Sequence, residues 1–361
     1  MDAIRPSPGP TGIRSSETKK TILSIAQSRS VLPNAVLVPS IFLFYGIGVL
    51  LSIQGVHFWT LTLSTVLLTV SLLWAWYLAH DCAHLSVSKN KVANDFLGEA
   101  LSLINGLSYS EFRAYRNDHV RHHSEKIDLL GIDLKEYLRR IGKGARRTLV
   151  FLESIYVPVF FVVIKYVSIR EIIRYDDLDK KLRALISVAA SWTFYFVLVL
   201  ISKFALIPFF CAICIRINVV RFVDAFQHSY NQIDPSSKEP TSRNREYEFA
   251  NTFSVPVAKK FRWLNLIILN FGFHGAHHVA PTCPWYLLPK LNQVLLDSHP
   301  LSHVSSSSWR EWNVSAIALI RTYHKFRVKR IFTKHEGNPY NADNQFSLDR
   351  FTGAFTDKLL G

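Results

Sequence analysis

Thiols are scarce in this chain, with four cysteines in 361 residues, Cys82, Cys211, Cys214 and Cys283. That excludes a disulfide framework and makes a reducing compartment the default. Acidic residues are also few, 27 against 42 Lys and Arg, for a formal net charge of +15. A basic excess suits nucleic acid and anionic lipid alike. No nucleic-acid-binding motif accompanies it, whereas long uncharged runs do, so the expected partner is membrane lipid and not nucleic acid. No secretory signal is readable either. Residues 1–34 are polar and rich in Pro and Ser, without an early apolar core or cleavage site. Their basic residues would fit a transit peptide, but a disordered cytosolic tail is the simpler expectation. No internal repeat of 20–50 residues is visible.

What is present is apolar and aromatic, 49% and 13% of residues, more than an ordinary soluble enzyme carries. Runs at 35–53 and 59–79 are free of charge and separated by a short break around Gly55. Each is long enough to cross the roughly 30 Å hydrocarbon core as a helix. A second pair is expected at 184–201 and 204–223, with Lys203 at the turn. The expected architecture is therefore an all-α integral membrane protein, four spans in two hairpins, with a helical cytosolic cap. Two weaker apolar pieces, 96–107 and 149–167, are expected to lie in the interface or under the cap, and 261–273 to form an interfacial or re-entrant helix. Residues 301–361 read as a polar, basic cytosolic segment. With four crossings nearly all Lys and Arg fall on one face, Lys203 excepted, which the positive-inside rule makes cytoplasmic. The membrane is a bacterial inner membrane or an endoplasmic reticulum.

That face also collects the histidines. Eight of fourteen stand in three short windows: His80 and His84 in His-Asp-Cys-Ala-His, His119, His122 and His123 in His-Val-Arg-His-His, and His274, His277 and His278 in His-Gly-Ala-His-His. Imidazole is the commonest ligand for first-row metals, and eight of them suit iron better than calcium or magnesium, which prefer oxygen. Continued past residue 79 as a helix, the second span sets His80 and His84 one turn apart on one face. In the other windows an i, i+3 pair is expected to share one metal while the adjacent ring, about 100° away, reaches a second. One such pair has an ordinary explanation as a polar interfacial feature; three clusters at the ends of apolar segments on one face do not.

His228, in Asp224-Ala-Phe-Gln-His228, is on spacing alone either a ninth ligand or a helix-end histidine. Asp224 and His228 at i, i+4 could aim at one centre, and Arg221 could instead pair with Asp224. Cys82 points away from its flanking histidines and reads as packing, as do Cys211 and Cys214 inside a span. Asp81, Asp118 and Arg121 are either hydrogen-bonding supports for the imidazoles or solvated charges. His57, His299, His303, His324 and His335 stand outside any cluster and read as ordinary surface histidines.

The three windows in order resemble the histidine boxes of the membrane fatty acid desaturase superfamily, and Pro281-Thr-Cys-Pro-Trp-Tyr-Leu-Leu-Pro289 resembles its usual continuation. The resemblance spans roughly residues 35–300 and implies a non-haem di-iron centre with O2 as co-substrate, acting on a fatty acyl lipid or acyl thioester. It also implies His228 as a ligand. Where relatives carry an Asn four residues before that histidine, this chain has Asp224, which leaves open a carboxylate contact and a shifted reactivity. The family's His-Pro-Gly-Gly haem motif is absent, so electrons are expected from a separate donor of the ferredoxin or cytochrome b5 type. Desaturation is the leading expectation. Hydroxylation, carotenoid oxygenation or alkene-forming decarboxylation share the boxes. A haem- or metal-handling membrane protein would need polar residues along a path through spans that are almost bare of charge.

Overall fold

The chain order begins with α1 (Ser16–Gln27), α2 (Leu32–Gln54) and α3 (Phe58–Ala83), in a computed structural model that describes residues 16–326 apart from 56, 107, 127, 130–133, 229, 231, 234–243, 259 and 299–315. Then follow α4 (Lys91–Ile104), α5 (Phe112–Glu125), α6 (Leu134–Arg140), α7 (Lys143–Ser154), α8 (Val159–Tyr175), α9 (Leu178–Ile201) and α10 (Leu206–Asp224). Shorter helices α11 (Arg245–Asn251), α12 (His274–Val279), α13 (Leu288–Ser298) and α14 (Ala316–Phe326) complete the described chain. The only strands among the described residues are a two-residue parallel pair, Asp128–Leu129 beside Gln232–Ile233.

Four helices, α2, α3, α9 and α10, are long and apolar enough to cross a bilayer. They cover the four expected runs, with ends displaced by a few residues. The axis of the molecule is α3, against which both α2 and α10 pack. Its serines find acceptors on the neighbouring backbone: Ser64 donates to the Gly48 carbonyl at 2.7 Å and Ser71 to that of Ile41 at 2.8 Å. Such bonds satisfy these two serine hydroxyls within an apolar bundle. On the other side Leu68 and Leu72 meet Phe209 and Ala212 of α10. The last helix α9 is different, because Trp192, Phe196 and Leu200 point outward, as suits a surface in contact with lipid tails.

The segments between the spans assemble around the C-terminal end of α3. Asn90 caps α4, its side chain accepting the N–H groups of Val92 and Ala93. The expected piece at 149–167 is split, because the chain turns at 155–158 and Pro158 precedes α8. Glu153, buried at the end of α7, accepts the Phe160 N–H at 3.2 Å and pairs with Arg221 of α10 at 2.9 Å. Arg221 thus has Glu153 as an ion partner, where the sequence offered Asp224.

Three expectations need correction. Within the tail read as disordered, residues 16–27 form α1, whose Ile22, Ile25 and Ala26 pack on Leu288, Leu291 and Leu295; residues 1–15 lie outside the described residues. Within the polar C-terminal segment, α14 buries Leu319 and Tyr323 against Phe226 and Phe253, because its apolar residues recur at helical spacing; most of 301–361, including His303 and His335, is outside the described residues, as is His299. Residues 261–273 make no long helix: Arg262–Ile268 is a 3-10 segment that ends where Leu269 and Asn270 adopt positive φ.

Candidate metal centre

Three elements bring the histidines together. The end of α3 carries His80 and caps at His84, whose N–H still bonds back to the His80 carbonyl. Helix α5 carries His119, His122 and His123, and α12 carries His274, His277 and His278. Helix α5 stops at Lys126, which takes the left-handed conformation and donates to the His122 carbonyl at 2.9 Å. Beyond α10, His228 is held by a bridge to Thr252. Three overlapping metal-competent groups result, and the two that share His278 join into one, leaving two clusters. One contains His80, His84, His119, His123 and His277; the other is built from His228, His274 and His278, with His122 and His123 reaching His278 from α5. All nine sequence-predicted ligands therefore meet.

The division differs from the expectation drawn from spacing. His119 shares its cluster with His123, and His274 with His278, whereas His122 and His277 reach across to the other set. The sharing pairs are i, i+4. At 100° per residue they lie about 40° apart around the axis, closer than the 60° of an i, i+3 pair. Likewise Asp224 and His228 do not share a helical face, since α10 ends at Asp224 and the chain turns through 225–227.

Ring nitrogens face one another at ligand-like spacing. Nε2 of His123 lies 3.2 Å from Nε2 of both His119 and His277; Nε2 of His228 lies 2.7 Å from that of His274 and 3.1 Å from that of His122. Nε2 atoms of His80, His84 and His278 are buried without a hydrogen-bond partner among the described residues. Buried imidazole nitrogens that converge in this way fit a bound cation better than they fit one another. Burial first, and neighbouring imidazoles second, hold His119, His123, His274, His277 and His278 well below the usual histidine range. His228 is lowered in the same way. The rings are thus neutral near pH 7, the form that binds metal.

Supporting groups fix the rings. Glu248 of α11 stands 3.1 Å from Nδ1 of His278, leaving Nε2 to face inward. Nothing in the spacing of the sequence marked Glu248, which sits thirty positions before its partner among unrelated acids. Thr252 is 3.5 Å from Nδ1 of His228 and 2.6 Å from the Tyr230 hydroxyl. Asp81 is buried and accepts the Trp285 N–H at 3.1 Å, while the Trp285 indole donates to Asn34. The motif that follows the third box is thereby tied to α3 and α2. Arg121 instead pairs outward with Glu125, and Asp118 is partly exposed on α5. Cys82 is fully buried as packing; Cys211 and Cys214 are free thiols, partly exposed.

A cavity adjoins both clusters, walled by Trp76, Tyr77, Tyr115, Val220, Asp224, Gln227 and Phe271 together with His80, His119, His122, His228 and His274. It is largely aromatic, and Asp224 and Gln227 are its polar members outside the aromatic and histidine side chains. Asp224 thus stands at the cavity rather than among the clustered ligands.

No curated protein matches the chain. Residues 57–310, more than two thirds of its length, match the family description "Fatty acid desaturase". The match takes in all three histidine windows, His228 and the Trp285 segment, and on that evidence the chain belongs to the fatty acid desaturase family.

Proposed function

We propose that this chain is a membrane oxidoreductase that holds two iron ions and uses O2 and two electrons to introduce a double bond into the fatty acyl chain of a lipid or acyl thioester. The observation that carries the reading is the pair of neutral, converging imidazole clusters beside an aromatic cavity at the end of the apolar bundle. Bound iron would supply the redox change and O2 activation that no side chain can. The chain's own part is to hold that charge on neutral rings, to keep water out with Trp76, Tyr115 and Phe271, and to align a flexible apolar chain beside the site. In the balanced reaction two hydrogens leave adjacent carbons, and with two electrons and two protons from a separate ferredoxin- or cytochrome b5-type donor they convert O2 to two waters.

In the same reading the four spans form two hairpins, and the clusters face the cytoplasm, where the excess of Lys and Arg belongs. The test has two parts. Metal analysis of the purified protein should find about two irons per chain, lost in His122→Ala/His123→Ala. Expression beside a reductase, with lipid profiling by mass spectrometry, should find products lighter by two hydrogens. An added oxygen or a shortened alkene would overturn desaturation in favour of a related oxidation.

A further inference from the structure

Among the described residues, one buried cation in a potential span has no ion partner. Arg216 lies within α10, one of the four potential spans, and is 1% exposed. Its Nε and Nη1 are buried with no hydrogen-bond partner among the described residues. The guanidinium lies over the Trp76 ring at 5.5 Å and over the Phe161 ring at 5.4 Å. Aromatic faces cover its plane on these sides and leave its hydrogen-bonding edges.

The surroundings are positive. Arg221 is one neighbour, and its carboxylate partner Glu153 is already engaged by it and by the Phe160 N–H. Lys165 of α8 is another; it donates to the Gly106 carbonyl and stands 5.5 Å from the Tyr109 ring. Burial, and then the charge of Arg216, lower the Lys165 ammonium to about 8. The remaining electrostatic neighbour of Arg216 is Tyr195. A buried guanidinium among cations and aromatic rings calls for an anion.

Position connects this group to the metal centre. Arg216, Val220 and Asp224 stand at i, i+4 and i+8 on one face of α10, and the latter two line the metal cavity. Across from them Trp76 and His80 stand at i and i+4 on α3, and both line the same cavity. Trp76 is therefore shared, with imidazoles one turn above it and Arg216 packed against its ring.

We propose that Arg216 anchors a buried carboxylate site next to the metal cavity, and that the acyl substrate is held there as the free fatty acid. The identity of that acid as substrate rests on the oxidase reading above; the anion site does not. A planar guanidinium edge matches a carboxylate in two-point hydrogen bonding, and the enclosure of Arg216 fits a carboxylate rather than a bulky phospholipid headgroup.

The test measures binding to the full-length protein in nanodiscs, with radiolabelled oleic acid, methyl oleate and acetate as probes. Wild type should bind the acid about tenfold more tightly than the ester, the preference of a paired over an unpaired buried charge. Arg216→Gln should abolish that preference with metal content unchanged, and Arg216→Lys should keep part of it. Equal affinity for acid and ester in wild type, or an unaltered preference in Arg216→Gln, would overturn the site. Competition by acetate as strong as by oleate would overturn the fatty acid as its occupant. Should Arg216→Gln not fold, the wild-type comparison decides together with Lys165→Gln, which should weaken acid binding and leave ester binding unchanged. A clear acid preference with no oxidised product from any lipid would leave the site standing and remove the oxidase reading. Equal turnover of acid and ester without binding preference would do the reverse.

Discussion

Glu248 fixes the orientation of His278, a side chain thirty positions away in the sequence. Its carboxylate holds Nδ1 of His278, so the ring presents Nε2 to the cluster. Glu248→Gln should lower metal affinity by about 10–100-fold, as loss of such a support does elsewhere, measured by competition with a chelator. The histidines themselves were legible because three dense windows are hard to explain otherwise. Their assignment to two clusters was not, because it turns on a 20° difference in helical phase between i, i+3 and i, i+4. The placing of Asp224 was legible only in part, since it does line the cavity beside His228 but not from a shared helical face. Its alignment with His228 assumed that α10 continued, and a turn that carries no Gly or Pro gave no warning.

At the scale of elements, the boxes depend on how closely their helices approach. Gly98 of α4 faces Phe112 of α5, and a Cβ built there would stand 2.4 Å from the ring. Gly98→Ala should displace the start of α5, seven residues before His119, and reduce iron content at equal expression, checked by metal analysis. Glu153 joins three helices by ending α7, receiving the second N–H of α8 and pairing with Arg221 of α10. Both charges are buried, so Glu153→Ala should cost about 3–5 kcal/mol, read as a lowered midpoint in thermal unfolding. The long spans were legible from length and lack of charge alone. Helices α1 and α14 were missed because their polar flanks hid a short apolar stripe, and such stripes are settled by a packing partner elsewhere, here α13 for α1.

For the molecule as a whole, the buried imidazoles set a pH limit. Six of them are held well below the ordinary 6.5 of the unfolded chain, chiefly by burial. As pH falls through 6.5 the unfolded state takes up protons that the folded state refuses. The stability of chelator-treated protein should be full above about 6.5 and decline below it. Thermal melts at about pH 7.5 and 5.5 check this, and iron should raise both midpoints. The outward-facing apolar residues of α9 should make the same melts sensitive to the detergent or lipid supplied. A last consequence lies in the way α5 and α12 each give histidines to both clusters. In the proposed di-iron form the first ion to bind would immobilise helices that the second also needs, so the two occupancies would be thermodynamically linked. Under limiting iron, native mass spectrometry should find molecules holding none or two, with singly loaded chains rarer than chance would place them.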